Sequence, residues 1–134
     1  MAEAFEQTMR IHLWADVHAP KSARQLVRQI TWLPAPAAED AALVASELVN
    51  NAVAHAALLA EANSVELRFG RAVERLVIAA EPAGVLTEPN RLPASTPSVG
   101  DRDAADEALA AAIVDGVADD WGMVEGSGWA TLRI

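Results

Sequence analysis

The sequence predicts an α+β two-layer sandwich, a mixed, largely antiparallel sheet covered on one face by about three helices. Three observations predict it. Short stretches of alternating polarity occur in adjacent pairs. Long alanine-rich segments read as helices between them. The order is strand, helix, helix, strand, strand, long loop, helix, strand, strand, and hairpins in that order leave the helices to gather on one side of the sheet.

Residues 8–14 set Met9, Ile11 and Leu13 against Thr8, Arg10 and His12, the alternation of a half-buried strand. Pro20 and Ser22 open a short helix whose apolar stripe is Ala23, Leu26, Val27 and Ile30. Residues 32–36 form a linker fixed by Pro34 and Pro36. Residues 37–60 lack both glycine and proline and are rich in alanine, so they predict the best helix of the chain. At about 100° per residue, Ala41, Ala45, Leu48, Ala52 and Leu59 fall on one side of that helix. Glu47, Asn51 and His55 lie along the edge of this stripe, and Asn50 projects away from it.

Residues 64–69 alternate again, with Val65, Leu67 and Phe69 inward. Residues 70–74 turn the chain, and residues 75–80 form a second strand that pairs with the first. Residues 81–100 are proline-rich and aperiodic, a long loop of the kind that compact domains keep for function or motion. Residues 103–119 predict another alanine-rich helix. Residues 121–125 and 129–134 predict a closing hairpin across Gly126-Ser127-Gly128.

A chain of 134 residues with 52% hydrophobic content makes one domain with a real core. No apolar run reaches the roughly 20 residues that span a bilayer, and the first residues carry no basic segment followed by a hydrophobic one, so neither a membrane anchor nor a secretory signal is expected. The absence of cysteine removes disulfides, thiolate metal sites and thiol catalysis, and fits a cytoplasmic location. The formal net charge of −9 repels a phosphate backbone, so direct nucleic-acid binding is not expected. Trp14, Trp32, Trp121 and Trp129 are of the residue type that anchors interfaces, although core packing is the commoner use.

Residues 47–56 read ELVNNAVAHA. They place a carboxylate, a carboxamide and an imidazole at Glu47, Asn51 and His55, four residues apart and so on one helix face. Such a set can share a metal, a water or a phosphate, or can be the polar margin of a packed helix.

This decapeptide resembles the asparagine box of the histidine-kinase-like ATPase superfamily (the GHKL or Bergerat fold), and within it the small actinobacterial anti-sigma factor and serine-kinase group. Three further stretches are similar to that group in the same order. They are SARQLVR at 22–28, AEDAALV at 38–44, and VDGVADDWG at 114–122. The resemblance covers most of the chain from about Lys21 onward. It implies a Bergerat ATP-binding domain over residues 1–134, with the loop at about 81–102 in the position of the ATP lid. It implies ATP and Mg²⁺ as cofactors, Asn51 as the magnesium ligand, and Glu47 as the carboxylate that orients or deprotonates the attacking group. Amide oxygen is a suitable hard ligand for magnesium. His55 matches a position often held by histidine, with a structural role.

The sequence departs from the family at two walls of the nucleotide pocket. Glu81 falls where an aspartate accepts the adenine amino proton, followed by Gly84 in place of the family's glycine-rich turn. A glutamate sets its carboxylate about 1.5 Å, one C–C bond, further out. The glycines that close on phosphate fall at Ala108 and Ala110. Gly100 survives nearby, among Asp101, Asp103, Asp106 and Glu107, with Arg102 as the one offsetting cation. Like charges about 4 Å apart repel by about 4 kcal/mol at an effective dielectric of 20. The cofactor-binding residues implied are therefore Asn51, Glu81, Gly84 and Gly100, with weakened nucleotide binding.

The resulting expectation is a regulatory protein resembling the anti-sigma factor serine kinases of partner-switching systems, an ATP-dependent serine/threonine kinase if active. Its partner would be a sigma factor or an anti-sigma antagonist-like protein, and it could form a homodimer. The alternative is a degenerate, nucleotide-independent protein-binding module that keeps only the fold. Without a phosphoacceptor helix or a membrane segment, a complete sensor kinase is not expected.

Overall fold

A computed structural model of the chain describes residues 7–59, 62–84 and 104–134. Its elements run β1 (Gln7–Trp14), α1 (Ala19–Arg28), α2 (Ala35–Ala56), β2 (Ser64–Ala72), β3 (Arg75–Ala83), α3 (Ala104–Val117), β4 (Asp120–Val124) and β5 (Ser127–Arg133). Order and type follow the sequence expectation throughout. The described residues form an α+β arrangement, with three helices and a five-stranded sheet in the order β1-β2-β3-β5-β4. Each of its four strand pairings is antiparallel. The expected parallel contribution does not occur among them, because β5 rather than β4 pairs with β3 and runs opposite to both neighbours.

α2 organises the core. Its 22 residues span about 33 Å at 1.5 Å each. Pro36 stands in the first turn, where a missing N–H costs nothing. The helix thus begins inside the segment expected to be a linker. Ala41, Ala45, Leu48 and Ala52 are fully buried, as their spacing predicts. So are Val44 and Val49, and Ala42, Val53 and Ala56 nearly so, because α2 is enclosed by β2, β3, β5, α1 and α3 rather than by the sheet alone. From Ala41 on, α2 is an interior helix with a polar edge at Glu47, Asn50 and His55 and one exposed apolar residue, Leu43. Leu59 is 53% exposed, contrary to its place on the wheel, because the helix ends at Ala56 and the periodicity ends with it.

The sheet supplies the other half of the core. Leu67 and Phe69 of β2, Leu76 and Ile78 of β3, and Ala130 and Leu132 of β5 interlock with Val27 of α1, Leu48 of α2 and Val114 of α3 in one cluster. Ile11 and Leu13 extend it onto β1 as half-buried residues, while Met9 is 37% exposed at the sheet edge.

Both hairpins are tighter than the sequence suggests. The β2–β3 strands pair from Ser64↔Ala83 to Ala72↔Arg75, leaving Val73 and Glu74 as the turn. Gly70 is inside β2, opposite Val77. β3 runs on to Ala83, so Glu81 belongs to a strand rather than to the following loop. In the closing hairpin the turn is Glu125-Gly126, while Ser127 and Gly128 are already paired in β5. Among the described residues, no helix is long and apolar enough to cross a membrane.

Phe69 is 1% exposed at the centre of the cluster. Phe69→Ala is expected to cost about 3–5 kcal/mol, measured as a lowered urea midpoint with an unchanged slope.

Candidate functional site

Glu47, Asn51 and His55 follow one another up α2, each one turn from the next. They mark the seam where the helix leaves the sheet's apolar face. Asn51 is only 6% exposed, and Glu47 and His55 are half-buried. The structure therefore brings these three residues together, as the sequence predicts.

The β4–β5 turn closes over this seam. Asn51 Nδ2 donates a hydrogen bond of 3.0 Å to the Glu125 carbonyl oxygen, 74 residues away. That bond fixes the plane of the amide and leaves Oδ1 as its end of the type that binds metal. The turn reaches α2 because of its glycine. Gly126 does not adopt a left-handed conformation; Glu125 does, at φ 56°. What Gly126 provides is space. A Cβ there would stand 2.6 Å from His55 Cβ and 2.7 Å from Pro82 Cγ, closer than carbon atoms approach. Gly128 serves the same purpose further along the hairpin, where a Cβ would lie 2.8 Å from Leu48 Cδ2. The closing hairpin is thus seated on α2 along Leu48, Asn51 and His55.

Glu81 is not in this seam. Leu76, Ile78 and Ala80 turn toward the helices, so alternation sends Glu81 to the opposite face and Pro82 to the helix side. On that opposite face Glu81 pairs in register with Glu66 and lies 3.8 Å from Arg68 Nη2. Glu66 itself meets Arg10 at 2.9 Å and His12 at 3.8 Å. Side chains as exposed as those of Arg10 and Arg68 make such pairs worth about 0–1 kcal/mol each. The carboxylate expected on an adenine wall is on the far side of the sheet from Asn51.

Gly84 follows β3 near this corner. Its carbonyl accepts a 2.6 Å hydrogen bond from Ser64 Oγ, and a Cβ on it would meet nothing within 4 Å. Gly100 and most of the expected lid lie outside the described residues. Ala108 and Ala110 lie within α3. Backbone N–H groups inside a helix are committed to carbonyls one turn back and cannot wrap a phosphate. Among the described residues, no three His, Asp or Glu side chains converge as a metal cluster.

The Trp-Gly motif has a structural use. Trp121 Nε1 donates to Asp115 Oδ1 at 2.8 Å, tying β4 to α3, and its ring packs against the core. Gly122 lies under Trp129, whose Nε1 is 2.6 Å from where a Cβ would be. Sequence reading misses this stack and the Asn51–Glu125 contact, since both join positions that no local spacing connects.

No protein-family model matches the chain, and no curated protein matches its sequence.

Gly126→Ala is expected to cost about 1–3 kcal/mol, the range for inserting a methyl group where none fits. Glu125→Gly, which relieves a left-handed residue, is expected to be neutral or mildly stabilising. Chemical denaturation of both variants checks the pair. Equal stability of Gly126→Ala and the parent would mean that the turn does not rest on α2.

Proposed function

We propose that this chain is a regulatory, partner-binding domain of the histidine-kinase-like ATPase fold, similar to the anti-sigma factor serine kinases, that works without phosphoryl transfer. The observation that carries this reading is the separation of the three walls a nucleotide needs. Asn51 is held under the closing turn by its bond to Glu125. Glu81 faces away on the other side of the sheet. The positions of the phosphate-binding glycines are alanines within a helix. Residues so separated do not fit ATP and Mg²⁺ as a bound group. The partner class that goes with this reading is a protein of the sigma-factor or anti-sigma antagonist kind.

One observation favours the second reading, a working ATP-dependent serine/threonine kinase. Glu47 and Asn51 keep the one-turn spacing on a single helix that a base and a magnesium ligand require. In that case Glu47 would orient the attacking hydroxyl and Asn51 would hold the metal through Oδ1.

A thermal-shift titration with Mg-ATP separates the two. A ligand at a hundred times its dissociation constant stabilises the folded state by about 2.7 kcal/mol, which is a plain upward shift in Tm. No shift is expected at millimolar Mg-ATP. A clear shift that disappears in Asn51→Ala would establish the kinase-like reading instead. Complex formation with a candidate partner in the absence of nucleotide is the corresponding positive result.

A further inference from the structure

We propose that the outer edge of β4 docks an extended, basic segment of a partner protein by strand addition. The proposal rests on the partner-binding reading above, and it names the chemistry of the segment and the place where it binds. β4 is an end strand of the sheet, with β5 as its one strand neighbour among the described residues. An end strand presents backbone N–H and C=O groups along its outer side, and a second chain can pair with them. The Trp121 N–H donates a 3.0 Å hydrogen bond to Asp120 Oδ1, the exposed carboxylate of its own neighbour. An incoming carbonyl can take that N–H, and the carboxylate so released can meet a cation on the same incoming segment. The five residues of β4 span about 17 Å at about 3.4 Å each, room for an equal run of partner backbone.

Charge selects the occupant of this edge. Residues 115–134 hold four carboxylates, Asp115, Asp119, Asp120 and Glu125, against one guanidinium, Arg133. All four carboxylates are exposed, and they bracket the strand. Asp119 and Asp120 stand at its start, Glu125 follows its end, and Asp115 reaches it from α3 through the Trp121 indole. On a chain of net charge −9, the resulting field draws in a basic segment and repels an acidic one. β1, the other end strand, carries Arg10 and His12 and no carboxylate, so the same segment is not drawn there.

Trp129 supplies an anchor beside the edge. It stands on β5 opposite Gly122, and its ring passes over that glycine onto β4. A side chain at 122 would meet the ring, so glycine is what lets the indole lie across the end strand. Trp129 remains 41% exposed. A lysine or arginine of an added strand can stack on such a ring. The chain makes the same contact internally, with the Arg71 guanidinium 5.0 Å from the centre of the Trp32 ring. Val124 has the same strand parity as Gly122 and is 75% exposed, an apolar contact for alternate side chains of the segment.

The test is a titration of the isotope-labelled full chain with a short blocked peptide of alternating lysine and threonine, followed by amide chemical shifts. Shifts are expected at Trp121, Met123 and the Trp129 indole, and none with the glutamate–threonine counterpart. Trp129→Ala, and separately Asp120→Asn with Glu125→Gln, are each expected to weaken binding by roughly threefold or more. Met123→Pro removes an N–H of the same strand parity as that of Trp121 without changing charge, and is expected to abolish binding. Leu43→Ser, at an exposed position on α2, is expected to leave it unchanged. Circular dichroism confirms that each variant folds, and the charge variants keep the test open where the proline variant does not. Absence of shifts with the basic peptide overturns the proposal, as do shifts that map away from β4. Binding that survives Met123→Pro is charge attraction without strand addition and overturns it too. Shifts at β4 that grow with the chain's own concentration would give the edge to a second copy, which also overturns it. A protein partner that binds all the edge variants equally sinks the edge and leaves the partner-binding reading standing, whereas a Tm shift with Mg-ATP bears on that reading alone.

Discussion

The structure depends on burying α2. From Ala41 onward this helix is buried around most of its circumference, so a flat sheet cannot satisfy it alone. The chain surrounds it with three strands and two helices. Alanine makes the enclosure possible. Ala41, Ala45 and Ala52 let neighbouring elements approach closely without leaving holes. The approach from the sheet side is made by glycine, at Gly126 and Gly128. Small residues on both partners bring helix and hairpin together, and larger ones such as Leu48 and Phe69 fill the volume around them.

The same constraint explains why the conspicuous polar residues are where they are. A buried helix must place its polar groups along a seam, and each needs a partner there. Asn51 finds one in a backbone carbonyl of the closing turn. Asn51 therefore has a purely architectural use, as the peg on which the closing hairpin hangs.

Much of this architecture is legible in the sequence, because it rests on local periodicity. Residues 64–69 alternate, residues 75–80 are a short apolar run, residues 37–56 are a long alanine-rich stretch, and the element order follows. What escapes is tertiary. Glycine is read locally as a turn former, which misplaces both hairpin tips. In the structure Gly70 and Gly128 are strand residues, and the left-handed positions belong to Glu74 and Glu125. Leu59 departs from its wheel position because a wheel says nothing of where a helix stops. The candidate site is legible as a triad on one helix. The side of the sheet from which the remaining walls would come is not, since matching positions to a motif ignores strand parity.

The strand order has a consequence for how the molecule is made. β5 is the last strand in sequence, yet it occupies an interior position between β3 and β4. Until it arrives, β4 has no partner, β3 has an open edge, and the seam on α2 lies bare. β4 and β5 are joined by a two-residue turn, so the hairpin can add to the edge of β3 as a unit, and the same docking covers Asn51. Contacts between residues this distant in sequence are the slow ones to form, and a chain that lacks them exposes both an apolar helix and an unpaired strand edge.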